Sequence, residues 1–188
     1  MLSVENTTKI MGLGLVHSYQ VRKLTKLLFE ALKPLHNLNE DVYNIIDTSS
    51  LLHDAGIIIN YYNHHRNSFF VILNAQINGL SHKELLMSAY IASMHRKNKA
   101  AEDYLKYKQL ISSTDIQTIK KIAIILRIAE SLDKSMSCNV DDIACDISKD
   151  KVVIKITSND NADIELIDAK SAANQFKKIF KKDLEFMQ

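Results

Sequence analysis

Proline occurs once in this chain, at Pro34, and glycine only four times in 188 residues. Backbone turns that need a locked or a left-handed φ are therefore scarce, which favours a largely helical protein. Hydrophobic spacing agrees. Val21, Leu24, Leu28, Ala31 and Leu32 recur at helical intervals within 15–33, and Pro34 follows as a stop. The same pattern predicts helices over 40–55, 66–75, 81–97, 100–111 and 115–135, after a short helical lead-in over 1–13. Asn39 and Thr114 are the expected N-caps of two of them, and Ser81 with Glu84 forms a capping-box pattern.

After Ser137 the pattern changes. Residues 140–147, 151–156 and 163–167 alternate or cluster β-branched side chains, with Ser148-Lys149-Asp150 and Asn159-Asp160-Asn161 as turns. Residues 169–186 read as a last amphipathic helix with Ala173, Phe176 and Phe180 inward. The expected fold is mainly α: a helical bundle over 1–137, then a small α+β unit over 138–188 of antiparallel strands plus a C-terminal helix. A formal net charge of +2 gives no general reason to bind nucleic acid. Two cysteines make no disulfide framework, and neither a signal pattern nor a long apolar run is visible, so a cytoplasmic protein without a membrane partner is expected.

The polar residues of the helical part are unusual. His53-Asp54 falls in the apolar stretch Leu51–Gly56, where two ionisable groups are costly unless something binds them. His17, His64, His65 and His95 lie on other segments, and Glu130 or Asp133 adds a late carboxylate. Sequence-distant ligands on packed helices are how bundles build metal sites. Two neighbouring divalent ions would use about this many N and O ligands, could bind phosphate oxygens and would lower the pKa of a bound water. One of the adjacent His64 and His65 is expected inward, while His36 and His82 are assigned to solvent. Arg66, Arg96, Lys97 and Arg127 are candidate phosphate contacts. The Lys177–Lys182 run reads as a solvated face. No Gly-rich phosphate loop, Cys-pair zinc pattern or Gly-x-Ser-x-Gly elbow is present.

His17, then His53-Asp54, then a late acidic residue, resembles the HD-domain pattern of metal-dependent phosphohydrolases. In more detail, His17-Ser-Tyr-Gln-Val21, Leu51–Gly56, His64-His65-Arg66-Asn67-Ser68, His95-Arg96-Lys97, Leu126–Ser135 and 165–180 resemble the C-terminal half of the Ppx/GppA exopolyphosphatases. The resemblance implies an HD-like bundle and a divalent metal (Mn, Fe, Ni, Zn or Mg). It also implies that His17, His53, Asp54 and Glu130 hold one ion, and that His65 and His95 complete a second. Polyphosphate or a nucleotide phosphate, including an alarmone, is the implied partner, and a homodimer is expected.

The family departs from this chain in two places: it commonly has His at the position of Asn67 and Asp at that of Glu130. The family's actin-like domains, with their phosphate loops and catalytic Glu, have no counterpart here, so the chain is not expected to be a complete exopolyphosphatase alone. Two functions follow from the resemblance. One is a metal-dependent phosphohydrolase acting on a phosphate ester or anhydride. The other is a non-catalytic polyphosphate- or nucleotide-binding and dimerisation module working with a separate actin-like half.

Overall fold

A computed structural model describes residues 2–96, 100 and 102–188. Lys97, one of the candidate phosphate contacts, lies outside them. Its helical part runs α1 (Leu2–Ile10), α2 (Leu15–Ala31), α3 (Lys33–His36), α4 (Tyr43–Leu51), α5 (His64–Asn74), α6 (His82–Ser93) and α7 (Ser113–Ser131). It is followed by β1 (Val140–Ile147), β2 (Lys151–Ser158), α8 (Asp163–Lys170), α9 (Ala173–Phe180) and β3 (Asp183–Met187). The fold is mainly α with a small α+β unit, as the sequence predicts. No described helix is long and apolar enough to cross a membrane.

Each helix of the bundle has a local cause. Capping boxes open α6 (Ser81 with Glu84) and α7 (Ser112 with Asp115, not the expected Thr114). Helix α7 is apolar on nearly every face along 122–129, so it runs through the middle, against α2 and α6. Helix α4 closes the ring by packing on α2 and α6, and α5 leans on α6 and on the turn Ala55–Ile58.

Two expected helices are shorter than their periodicity suggests, and for the same reason. Helices α4 and α6 end at Leu51 and Ser93, two residues before His53 and His95, so both histidines sit in turns just past a helix end. Among the described residues, the expected helix 100–111 reduces to a 3-10 turn, Tyr104–Tyr107.

The α+β unit corrects two further expectations. Residues 163–167 form helix α8 rather than a strand, because Ala162, Leu166 and Ala169 recur at helical spacing toward the core while Ile164 and Ile167 face outward. The last expected helix stops at Phe180, where Lys181 takes a left-handed φ of 59°, and the chain returns as β3. The sheet order is β1-β2-β3. The β1–β2 pair is antiparallel and the β2–β3 pair parallel, with Lys151 opposite Asp183 and Ile154 opposite Phe186. A parallel neighbour needs a crossover, and α8–α9 supply it.

The two parts share one apolar core. Helix α2 packs on β1, α7 packs on α8 and α9, and the Gln20 amide donates to the Val140 carbonyl at 2.6 Å. Cys138 and Cys145 are free thiols, and burial pushes the Cys145 thiol up to about 12.

Candidate metal centre

The start of α2, the turn after α4, the start of α5 and the turn after α6 meet around Asp54. His17, His53, His64, His95 and Asp54 are all buried there. Their donor atoms fall into two groups that share the carboxylate: His17, His53 and Asp54, and Asp54, His64 and His95, with the atoms of each group within 4.8 Å of one another. Oδ1 of Asp54 lies 3.0 Å from His64 Nε2 and 3.5 Å from His95 Nε2, and Oδ2 lies 3.5 Å from His53 Nε2. One carboxylate oxygen therefore faces each group.

Hydrogen bonds fix which nitrogen each imidazole turns toward Asp54. Nδ1 of His53 meets the Ser50 carbonyl at 2.7 Å, that of His64 the Tyr61 carbonyl at 2.9 Å, and that of His95 the Ala92 carbonyl at 2.6 Å. Nδ1 of His17 meets Asp133 Oδ2 at 2.7 Å. A carbonyl only accepts, so in the three carbonyl-bound rings the proton is assigned to Nδ1. The carboxylate assigns it likewise in His17. Ser50 and Ala92 belong to the last turns of α4 and α6, where carbonyls lack helical partners, so the terminating histidines satisfy the helix ends and are oriented by them.

All four Nε2 lone pairs then converge. His17 Nε2 stands 3.3 Å from His53 Nε2, and His64 Nε2 stands 3.2 Å from His95 Nε2. Two facing lone pairs repel, and only a cation between them, a proton or a metal ion, turns the contact favourable. Asp54 Oδ1 is buried and accepts no hydrogen bond among the described residues, which fits His64 carrying its proton on the far nitrogen. This donor set of imidazole and carboxylate, with each ring held through its other nitrogen, fits a borderline divalent metal.

The local electrostatics differ from ring to ring. Burial opposes charge on His17, but the Asp133 hydrogen bond and charge, with Asp54 and Glu130 behind them, outweigh it and raise its pKa. Burial, reinforced by neighbouring His53, holds His95 well below the ordinary histidine range. Burial would raise Asp54, but positive charge on the imidazoles of His53, His64 and His95 outweighs it and holds the carboxyl far below the usual carboxylate range.

Of the residues expected at the site, His17, His53, Asp54 and His95 come together. His65 does not join them. It is buried, but its ring centre lies 6.4 Å from that of His95, and His64 occupies the second group instead. On α5, His65 shares the buried stripe of Phe69 and Ile72, whereas His64 and Ser68 lie on the flank toward the His53-Asp54 turn. Glu130 is also outside both groups. Its Oε1 lies 3.8 Å from Arg96 and 3.9 Å from Lys134.

Asp133, three residues later and past the end of α7, bonds His17, and the Cys138 amide donates to its other oxygen at 2.9 Å. His36, expected in solvent, is buried, stacks on Phe29 at 4.1 Å and bonds the Phe29 carbonyl. Arg66 is exposed on α5. Arg96 and Arg127 line a small polar pocket with His95, Glu130, Lys134 and Asp168, and Arg127 bonds Gln175 at 2.9 Å.

The turn that carries His53 and Asp54 is locked to α5. The Gly56 amide donates to Ser68 Oγ at 2.9 Å, and that hydroxyl lies 2.6 Å from the His53 carbonyl and 3.0 Å from the His64 carbonyl. A Cβ at Gly56 would stand 2.1 Å from the His64 carbonyl oxygen and 2.4 Å from the Ser68 nitrogen, so only glycine lets the turn and the helix approach this closely.

Comparison with known proteins agrees with the residue pattern. No curated protein matches the chain significantly. The sequence does match Ppx/GppA phosphatase, domain III, over residues 1–185, nearly its whole length. The histidine-lined bundle and the small crossover sheet behind it therefore belong to the Ppx/GppA phosphatase family, as its domain III.

Proposed function

We propose that this chain binds two divalent metal ions and hydrolyses a phosphate ester or anhydride in the cytoplasm. The observation that carries the reading is the convergence of four lone-pair nitrogens on one shared carboxylate, each ring already anchored through its other nitrogen. His17 and His53 would hold one ion, His64 and His95 the other, with Asp54 facing both. Such ions supply Lewis-acid polarisation of a phosphoryl group and acidify bound water.

The chain's own groups do the rest. Asp133 keeps the His17 ring turned toward Asp54, and Ser68 holds the His53 and His64 segments at a fixed separation. Arg96, beside Glu130 and His95, is the best placed described cation to orient a phosphate, and Arg66 is its exposed counterpart on α5. Glu130 acts by its charge on His17 rather than as a ligand. The family supports polyphosphate or nucleotide phosphate as the partner class and an actin-like phosphatase half as the protein partner.

The test is metal analysis of the purified protein together with phosphate release from a panel of nucleotides and phosphate esters. Near-stoichiometric Mn, Fe, Ni or Zn, with the ion of the His17–His53 half lost in His53→Ala along with phosphate release, is the expected result. Release that is unchanged when His53 and Asp54 are replaced sinks the proposal.

A further inference from the structure

The centre opens on the side of His17 and Asp54 into a cavity of about 370 Å³, walled by Met11, Leu13, Ile57, Ile58 and Met136. No lysine or arginine lines this cavity among the described residues. Ile58 and Met136 stay 54% and 60% exposed at its rim. Apolar side chains scattered singly on a surface need no explanation, but these collect where a buried charged cluster meets solvent. A second cavity of similar size, about 430 Å³ near Asn39, Lys83 and Thr118, has no histidine or cysteine in its wall.

The wall limits what can approach Asp54 from this side. Along this wall a chain of bare phosphates would lose hydration against methyl and thioether groups and meet no lysine or arginine among the described residues in exchange. A phosphate carried on a compact apolar group loses nothing of the kind. Its organic part gains by leaving water for the Met and Ile wall, while its phosphoryl oxygens reach the His17 and Asp54 end. A volume of this size suits one or two fused rings or a short branched alkyl chain.

Resting on the phosphohydrolase reading above, we propose that the cavity selects a phosphate monoester of a compact apolar alcohol or phenol, in preference to inorganic polyphosphate. In the reaction a water oxygen bonds to phosphorus and the P–O bond to the organic group breaks. The bonding pair stays on the leaving oxygen, which takes up a proton from the water, giving free alcohol and inorganic phosphate. Ile57 and Ile58 close the Ala55–Ile58 turn that Asp54 opens, so the specificity wall and the shared carboxylate are built by one turn.

The probes are two inert phosphonates, 1-naphthylphosphonate and methylphosphonate, with inorganic tripolyphosphate as the polyanion. Calorimetry on the metal-loaded protein should show the naphthyl compound binding at least about tenfold tighter than the methyl one. In protein carrying ¹³C-methyl methionine, it should shift the Met11 and Met136 resonances. Ile58→Ser and Met136→Ser, both at exposed positions that the fold tolerates, should each reduce the naphthyl preference several-fold and leave methylphosphonate binding unchanged. Equal affinity for the two phosphonates, or tighter binding of tripolyphosphate than of the naphthyl compound, overturns this inference. In that case retained metal and phosphate release leave the phosphohydrolase reading standing. Protein that takes up no metal overturns both.

Discussion

The two halves of the histidine cluster are built from the same donors but are held by different means. In the half formed by His64 and His95 both outer partners are backbone carbonyls, of Tyr61 and Ala92, and burial keeps His95 well below its ordinary pKa. In the half formed by His17 and His53 one outer partner is the Asp133 carboxylate, which raises His17 instead. A carbonyl aims a ring and cannot be removed by a side-chain substitution. A carboxylate aims it and also makes the ring a stronger base, so this half is the adjustable one. It is also the half beside the apolar cavity.

Replacing the group that the halves share breaks the comparison altogether. Asp54→Asn should remove metal from both and lower phosphate release by more than about 100-fold, beyond the range of an outer-partner loss. Elemental analysis beside a phosphate assay reads both effects. His17→Ala and His95→Ala separate the halves, and each should leave about one equivalent of metal where the parent protein holds two. Loss of all metal in either variant would show that the halves do not bind independently.

Asp133→Asn tests the difference in their supports. The amide can still accept the His17 proton but carries no charge, so metal affinity should fall about 10–100-fold in the first half alone, as measured by competition with a chelator. Gly56→Ala acts on the other half. Displacing α5 from the turn should lower stability by about 1–3 kcal/mol in denaturant unfolding and weaken the His64–His95 half more than the His17–His53 half.

The bundle was largely legible in the sequence because it rests on 3.6-residue periodicity, as Val21, Leu24 and Leu28 of α2 show. Periodicity does not reveal where a helix stops when no Gly or Pro marks the end. For that reason the periodicity runs past the ends of α4 and α6, where a histidine bonds back to the third preceding carbonyl in each case. A family pattern gives spacing, not helix phase, so it points to His65. Phe69 and Ile72 mark the core stripe of α5, which takes His65 and leaves His64 on the flank beside Asp54. The family pattern names Glu130, whereas the bond from Asp133 to His17 is hidden from helical spacing because α7 ends at Ser131. In the α+β unit, the strand and helix readings of 163–167 differ by the burial of Ala162 and Ala169, and small residues carry little hydropathy signal.

Gly56 and Ser68 have a kinetic consequence. They join the turn bearing His53 and Asp54 to the helix bearing His64, so neither segment can swing away without breaking the contact to the other. The donors of both halves would then separate together, by a concerted local opening of α5 and the turn rather than one ring at a time. A metal held there would exchange at the frequency of that opening. Raising the chelator concentration would bring its removal to a plateau instead of accelerating it without limit, and the amide hydrogens of Gly56 and Ser68 would exchange with solvent at the same rate.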